Sequence, residues 1–148
     1  MKKILLINGP NLNRLGKREP AHYGTATLDD LETELKKSAQ SMDTELVCFQ
    51  SNHEGEIIDK IHWAEDQNMD GIIMNPGAFT HYSYAIRDAV AGIDVPLIEV
   101  HISNIHARES FRHVSVIAPA AAGQIAGLGV HGYELALQAL LKIIKGRV

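Results

Sequence analysis

The sequence has a single cysteine, Cys48, so no intrachain disulfide can form and a reducing compartment fits. Cys48 lies in the apolar run 45–50, where a thiol reads as buried and inert. No window is rich in Lys or Arg, and the formal charge is -4. Such a chain is a poor nucleic-acid binder, because phosphate neutralisation dominates that affinity. No apolar stretch approaches membrane-spanning length. The run Ile4-Leu5-Leu6-Ile7 is too short for a signal peptide and is stopped by Asn8-Gly9-Pro10. Neither H-E-x-x-H nor CxxC occurs, and the spacings of the eight histidines match no metal-ligand template. Internal repeats and low-complexity linkers are absent too. From these absences we expect a soluble cytoplasmic protein that needs no metal and contacts neither membrane nor nucleic acid.

What is present fits one domain over residues 1–148, long enough to bury a core without staples. Short apolar runs alternate with helical patterns. Strands are expected at 3–7, 45–50, 71–75, 96–101 and 114–118, the first reading as buried on both faces. Thr27 is the expected N-cap of a first helix, with Asp29 and Asp30 in its first turn. Leu28, Leu31, Leu35, Ala39 and Met42 give that helix an apolar stripe. A second stripe is Ile57, Ile58, Ile61 and Ala64; a third is Ile86, Ala89 and Val90, with Gly92 as C-cap. Tyr133, Leu137, Leu140, Leu141 and Ile144 mark the last helix. This alternation predicts an α/β fold: a flavodoxin-like three-layer sandwich with a five-stranded parallel sheet, order 2-1-3-4-5. Ligands bind such sheets beyond the carboxyl ends of the strands, so functional groups are expected after Ile7, Met74 and Val100.

Four segments there carry polar chemistry. The loop 8–26 is long for a strand-to-helix connection and holds Asn11, Arg18, His22 and Tyr23. It reads as a lid, the alternative being a solvated Ω-loop. A free tyrosine is a poor base at neutral pH, but a guanidinium beside it favours the phenolate. Arg18 supplies one if the loop folds it against Tyr23. After strand three come Asn75 and His81, which can hydrogen-bond a polyhydroxylated ligand; taken alone, a turn and a helix cap account for them better. Glu99 and His101 are two apart on one strand and so share a face, where the carboxylate can fix or charge the imidazole. Just beyond them, the backbone N–H groups of Ile102 and Ser103 are placed to bind an anion. Arg108 and Arg112 are placed either to clamp a carboxylate or to form surface ion pairs with Glu109. A further segment, 127–132, matches G-x-G-x-x-G but falls well after the expected last strand, so it reads as a loop and helix start rather than a dinucleotide site.

Taken in order, these residues resemble one family. Asn8-Gly9-Pro10-Asn11-Leu12-Asn13, Arg18-Glu19-Pro20 and Tyr23-Gly24 are similar to the opening of type II 3-dehydroquinate dehydratases. Asn75-Pro76-Gly77-Ala78 with Thr80-His81, and Glu99-Val100-His101 with Ser103-Asn104-Ile105-His106, resemble their middle and later parts. Arg108-Glu109, Phe111-Arg112 and Gly123-Gln124-Ile125-Ala126-Gly127 continue the match. Phe79 and Tyr82 depart from the family's usual residues. The resemblance implies a cofactor-free anti elimination of water from 3-dehydroquinate in the shikimate pathway. It implies Tyr23 as phenolate base, Arg18 as its activator, Asn11 as holder of a water against the enolate, and His101 as acid oriented by Glu99. It implies that Asn75, Ile102 and Ser103 anchor the substrate carboxylate. His81, Asp88 and Arg112 then bind ring hydroxyls, Asp88 from a neighbouring subunit of a homododecamer built from trimers. Two other readings stand beside it. One is an imine-forming dehydratase, for which only Lys17 lies in a candidate site loop. The other is a flavodoxin-like non-enzymatic binding module.

Overall fold

The computed structural model describes residues 1–17, 21 and 24–146. Five strands form one parallel sheet: β1 (Lys2–Asn8), β2 (Thr44–Gln50), β3 (Gly71–Asn75), β4 (Leu97–His101) and β5 (Gly123–Ala126). Their order is β2-β1-β3-β4-β5, as expected. The helices are α1 (Leu28–Ser41), α2 (Glu54–Asp66), α3 (Tyr84–Ala91) and α4 (His131–Gly146).

The period-two geometry of a strand explains the layering. Ile4 and Leu6 of β1 pack in one cluster with Leu31, Leu35 and Ala39 of α1 and with Tyr133, Leu137 and Leu140 of α4. Leu5 and Ile7 point the other way, into a cluster with Ile57 and Ile61 of α2 and Ile86 and Val90 of α3. Residues 4–7 are all fully buried, which is why the strand reads as a continuous apolar run rather than an alternating one. The four helical stripes face the core as expected; Leu28, Met42, Ile58 and Leu141 sit at their margins, partly buried. Thr27 caps α1 through a full capping box. Its hydroxyl accepts the Asp30 N–H at 3.1 Å, and the Asp30 carboxylate accepts the Thr27 N–H at 3.1 Å. Gly92 does cap α3, in right-handed rather than left-handed conformation. Cys48 is half-buried, and burial, with Glu32 nearby, pushes its thiol up to about 11, so it is inert at neutral pH.

The fifth strand corrects the sequence reading. Residues 114–118 form a loop leading into a 3-10 turn at Ala118–Ala120, and the strand beside β4 is Gly123–Ala126. Val116 and Ile117 are buried, but as plugs in the α2/α3-side core. The Ser115 hydroxyl accepts the N–H groups of Ile117 and Ala118 at 3.2 and 2.9 Å, which takes those donors out of any ladder. The real strand has Ile125 as its one large apolar residue, between Gly123, Gln124 and Ala126, and so gives no apolar run. The glycine-rich segment 127–132 therefore follows a strand directly. It still serves as a loop and helix start, since Gly127 and Gly129 have φ of 89° and 64° and α4 begins at His131.

Candidate active site

The carboxyl ends of β1, β3 and β4 meet in one pocket. Among the residues lining it are Asn11, Asn75, His81, His101, Ile102, Ser103, Arg108 and Arg112. Residues from four separate sequence segments thus converge where the topology requires a ligand.

At the β1 end, Gly9 passes so close to Pro76 that a Cβ there would stand 2.7 Å from the Pro76 carbonyl oxygen. Its N–H donates to the Asn75 carbonyl at 2.8 Å, locking the first loop to the third. Asn11 follows in left-handed conformation (φ 70°, ψ -5°), which asparagine tolerates better than other non-glycine residues. Its N–H donates to the Asn52 side-chain oxygen at 2.9 Å, and Gln50 donates to the same oxygen at 3.2 Å. Leu12 and Leu15 drop into the core and anchor the first half of the loop. Tyr23 and Arg18, the expected base and its activator, lie outside the described residues.

The β3 end supplies Asn75, buried and held at both ends of its side chain. Its amide nitrogen donates to the Tyr133 hydroxyl at 2.9 Å, and its oxygen accepts the Gly77 N–H at 3.1 Å. Tyr133 in turn donates to the Asn8 side-chain oxygen at 2.6 Å. Burial drives the Tyr133 phenol upward, so it remains a neutral donor. The amide of Asn75 keeps a second N–H for the pocket. His81, on the 3-10 turn Gly77–His81, places Nδ1 2.9 Å from the Val114 carbonyl. Burial lowers its pKa and the neighbouring His101 and Arg112 act in the same sense, against the Val114 hydrogen bond and the Glu99 charge.

At the β4 end, Glu99 is fully buried behind His101, with Oε2 2.7 Å from His101 Nε2. Burial alone would raise the Glu99 pKa. Hydrogen bonds from His101, Gln124 and Ser115, with the His101 charge, outweigh it and hold the carboxyl below its ordinary value. The His81 and His101 rings stack with centroids 6.5 Å apart. The chain end beyond the strand is pinned from β5: the Gly127 N–H donates to the His101 carbonyl at 3.2 Å and the Gly129 N–H to that of Ile102 at 3.0 Å. Arg108 donates to the Ser103 hydroxyl at 3.3 Å; Arg112 donates to Glu109 at 3.1 Å and lies over the Phe111 ring. The two readings of these arginines combine, since Arg112 both lines the pocket and makes an ion pair.

Of the sequence candidates, the pocket gathers Asn11, Asn75, His81, His101, Ile102, Ser103 and Arg112, with Glu99 behind it. Asp88 is on the exposed face of α3, away from this pocket. Lys17 is exposed, and among the described residues no lysine lines the pocket. Sequence reasoning missed Asn52, Tyr133, Ser115 and Gln124. Tyr133 was legible only as a core residue of α4, and the others stand too far along the chain from their partners for spacing to connect them.

The family described as Dehydroquinase class II matches residues 2–141. The chain belongs to that family. A protein named 3-dehydroquinate dehydratase from Bacillus cereus (strain AH187) is 66% identical over 145 residues, covering 98% of this chain and 99% of its own. The solved type II dehydroquinase from Butyrivibrio crossotus DSM 2876 superposes with a TM-score of 0.93 at 52% identity, covering 95% of this chain and 97% of that one. That from Propionibacterium acnes gives 0.91 at 46%, covering 98% and 97%. Membership of the dehydroquinase family agrees with the strand order and with the motifs at the three strand ends. It leaves no ground for the non-enzymatic module.

Proposed function

We propose that this chain is a 3-dehydroquinate dehydratase of the shikimate pathway, a hydro-lyase that removes water from 3-dehydroquinate through an enolate and without a Schiff base. Removing a proton alpha to a ketone needs a base and a stabilised enolate, and expelling hydroxide needs an acid. Tyr23, as a phenolate held by Arg18, takes the C2 proton. Electron density moves onto the ketone oxygen, where a water on Asn11 meets the growing charge. His101, as imidazolium, gives a proton to the departing C1 hydroxyl and returns to neutrality beside ionised Glu99. Asn75 and the N–H groups of Ile102 and Ser103 hold the substrate carboxylate, and His81 and Arg112 hold ring hydroxyls. Residues 1–148 act as one catalytic domain in a homododecamer built from trimers, in which Asp88 serves a neighbour's site. The whole works in the cytoplasm without metal, nucleic acid or membrane. Among the described residues no helix is long and apolar enough to cross a membrane.

The observation that carries this reading is the buried Glu99–His101 pair opening on a pocket lined by amides and two arginines. Each acid–base step contributes roughly 10² to 10⁴-fold, with positioning and enolate electrostatics supplying the rest. The test is an ultraviolet assay for the conjugated enone with purified protein and 3-dehydroquinate, repeated after borohydride is added in the presence of substrate. Enone formation that survives borohydride, with no covalent adduct, is expected. A trapped adduct on lysine would overturn the tyrosine route in favour of the imine one.

A further inference from the structure

Behind the acid lies a cradle that the reaction scheme does not use. Among the described residues, the fully buried Glu99 carboxylate has three side-chain hydrogen-bond partners. Oε1 accepts the Ser115 hydroxyl at 2.8 Å; Oε2 accepts the Gln124 amide at 2.7 Å and faces His101 Nε2 at the same distance. Gln124 reaches it because the β4–β5 register sets Gln124 directly opposite Glu99. Ser115 reaches it because the loop 114–118 departs from strand geometry.

The direction of each proton follows from counting. A serine hydroxyl has one proton and two lone pairs. Both lone pairs of Ser115 face backbone donors, the N–H groups of Ile117 and Ala118. Its proton therefore goes to Glu99. The Thr80 hydroxyl, at 3.5 Å, stands at the outer limit of a hydrogen bond and does not compete. An amide nitrogen can only donate, so Gln124 gives a proton to Oε2. Hydrogen bonds donated to a carboxyl favour its ionised form, and Glu99 accepts one on each oxygen from Ser115 and Gln124. Glu99 is thereby held as an acceptor-only carboxylate, and the proton shared with His101 sits on Nε2.

We infer that Ser115 and Gln124 are positioning residues for the acid: by fixing Glu99 they assign the Nε2–H tautomer to neutral His101 and leave Nδ1 to exchange the catalytic proton with the pocket. The inference rests on the reading of His101 as general acid. Among the described residues, the charged and titratable groups around His101 are Glu99 on its own strand, His81 from the turn after β3, and Arg108 and Arg112 from the loop after β4. Ser115 and Gln124 carry no charge. Their removal changes what the carboxylate prefers rather than the local charge count.

The test measures kcat and KM against pH for the parent, Ser115→Ala, Gln124→Met and Ser115→Thr. Losing a donor lets burial raise the Glu99 pKa, so the carboxylate protonates earlier as pH falls. Each donor removed is expected to cost roughly tenfold in kcat at the acid end of the profile, the scale of a hydrogen bond to a charged group. The alkaline plateau stays near the parent, and KM stays within about threefold, the signature of a change that spares ground-state binding. Ser115→Thr keeps the hydroxyl and restores the parental profile. Gln124→Met decides the matter alone if Ser115→Ala does not fold, because Gln124 is an exposed side chain on the edge strand. A uniform loss across pH, or no loss, overturns the inference. His101→Ala in the same series separates it from its premise. If that variant turns over at the parental rate the acid reading fails as well; if it is inactive while the other profiles do not shift, only the roles of Ser115 and Gln124 fail.

Discussion

Two strand ends form opposite walls of the pocket, and they are built on different principles. The β4 wall is charged and buried. Glu99 is fully enclosed, His101 is 5% exposed, and the Glu99 carboxylate accepts side-chain hydrogen bonds from Ser115 and Gln124 beside the one it shares with His101. The β1 wall is neutral and open. Asn11 is exposed and is held through its backbone, by an N–H to Asn52 and a left-handed turn. A group that must hold a proton is fixed by low dielectric and satisfied polar neighbours, where electrostatic interactions are strongest. A group that only has to direct a hydrogen bond can be set by the path of the chain.

The sharpest ways to break this comparison remove the proposed proton carriers. Tyr23→Phe and His101→Ala are each expected to lower kcat by roughly 10² to 10⁴-fold while the protein stays folded, as enone assays with circular dichroism would check. A variant retaining near-parental turnover contradicts its assigned role. Glu99→Gln is expected to cost about 10 to 100-fold in kcat, since the imidazolium loses its balancing charge. The same substitution tests stability. Because the folded Glu99 carboxyl is held below its ordinary value, its stabilising contribution is present above the unfolded value and is lost as pH falls through the lower folded one. Thermal unfolding of the parent should therefore weaken in acid more steeply than that of Glu99→Gln. On the other wall, Asn11→Ala should lower kcat about tenfold, less than the 10² or more of a direct oxyanion donor, because its proposed role is exercised through a water. Thr27→Ala, outside both walls, should cost about 1 kcal/mol of stability in denaturant titration and leave kcat unchanged.

The fold was legible where burial is two-sided or periodic. Residues 4–7 and 72–74 are continuous apolar runs because helices cover both faces, and the stripes of α1 to α4 repeat at helical spacing. It was illegible at the sheet's edge. There β5 is four residues with Ile125 as its one large apolar side chain, and the apolar residues Val116 and Ile117 belong to a loop that plugs the core. The site divides the same way. Glu99 and His101 could be paired because strand geometry puts residues two apart on one face. Asn52, Tyr133, Ser115 and Gln124 could not, since each reaches a partner in the site through tertiary packing over 16 to 125 positions in the chain. Asp88 was assigned by resemblance alone, and its exposed place on α3 gives it no contact with this chain's own pocket.

The most direct measurement is a crystal structure of the native assembly with a substrate analogue bound. The account predicts one cavity in which the Tyr23 oxygen and His101 Nδ1 face the ring from opposite sides, with the analogue's carboxylate on the N–H groups of Ile102 and Ser103. Finding those two side chains in separate cavities, or the analogue bound away from both, would contradict it.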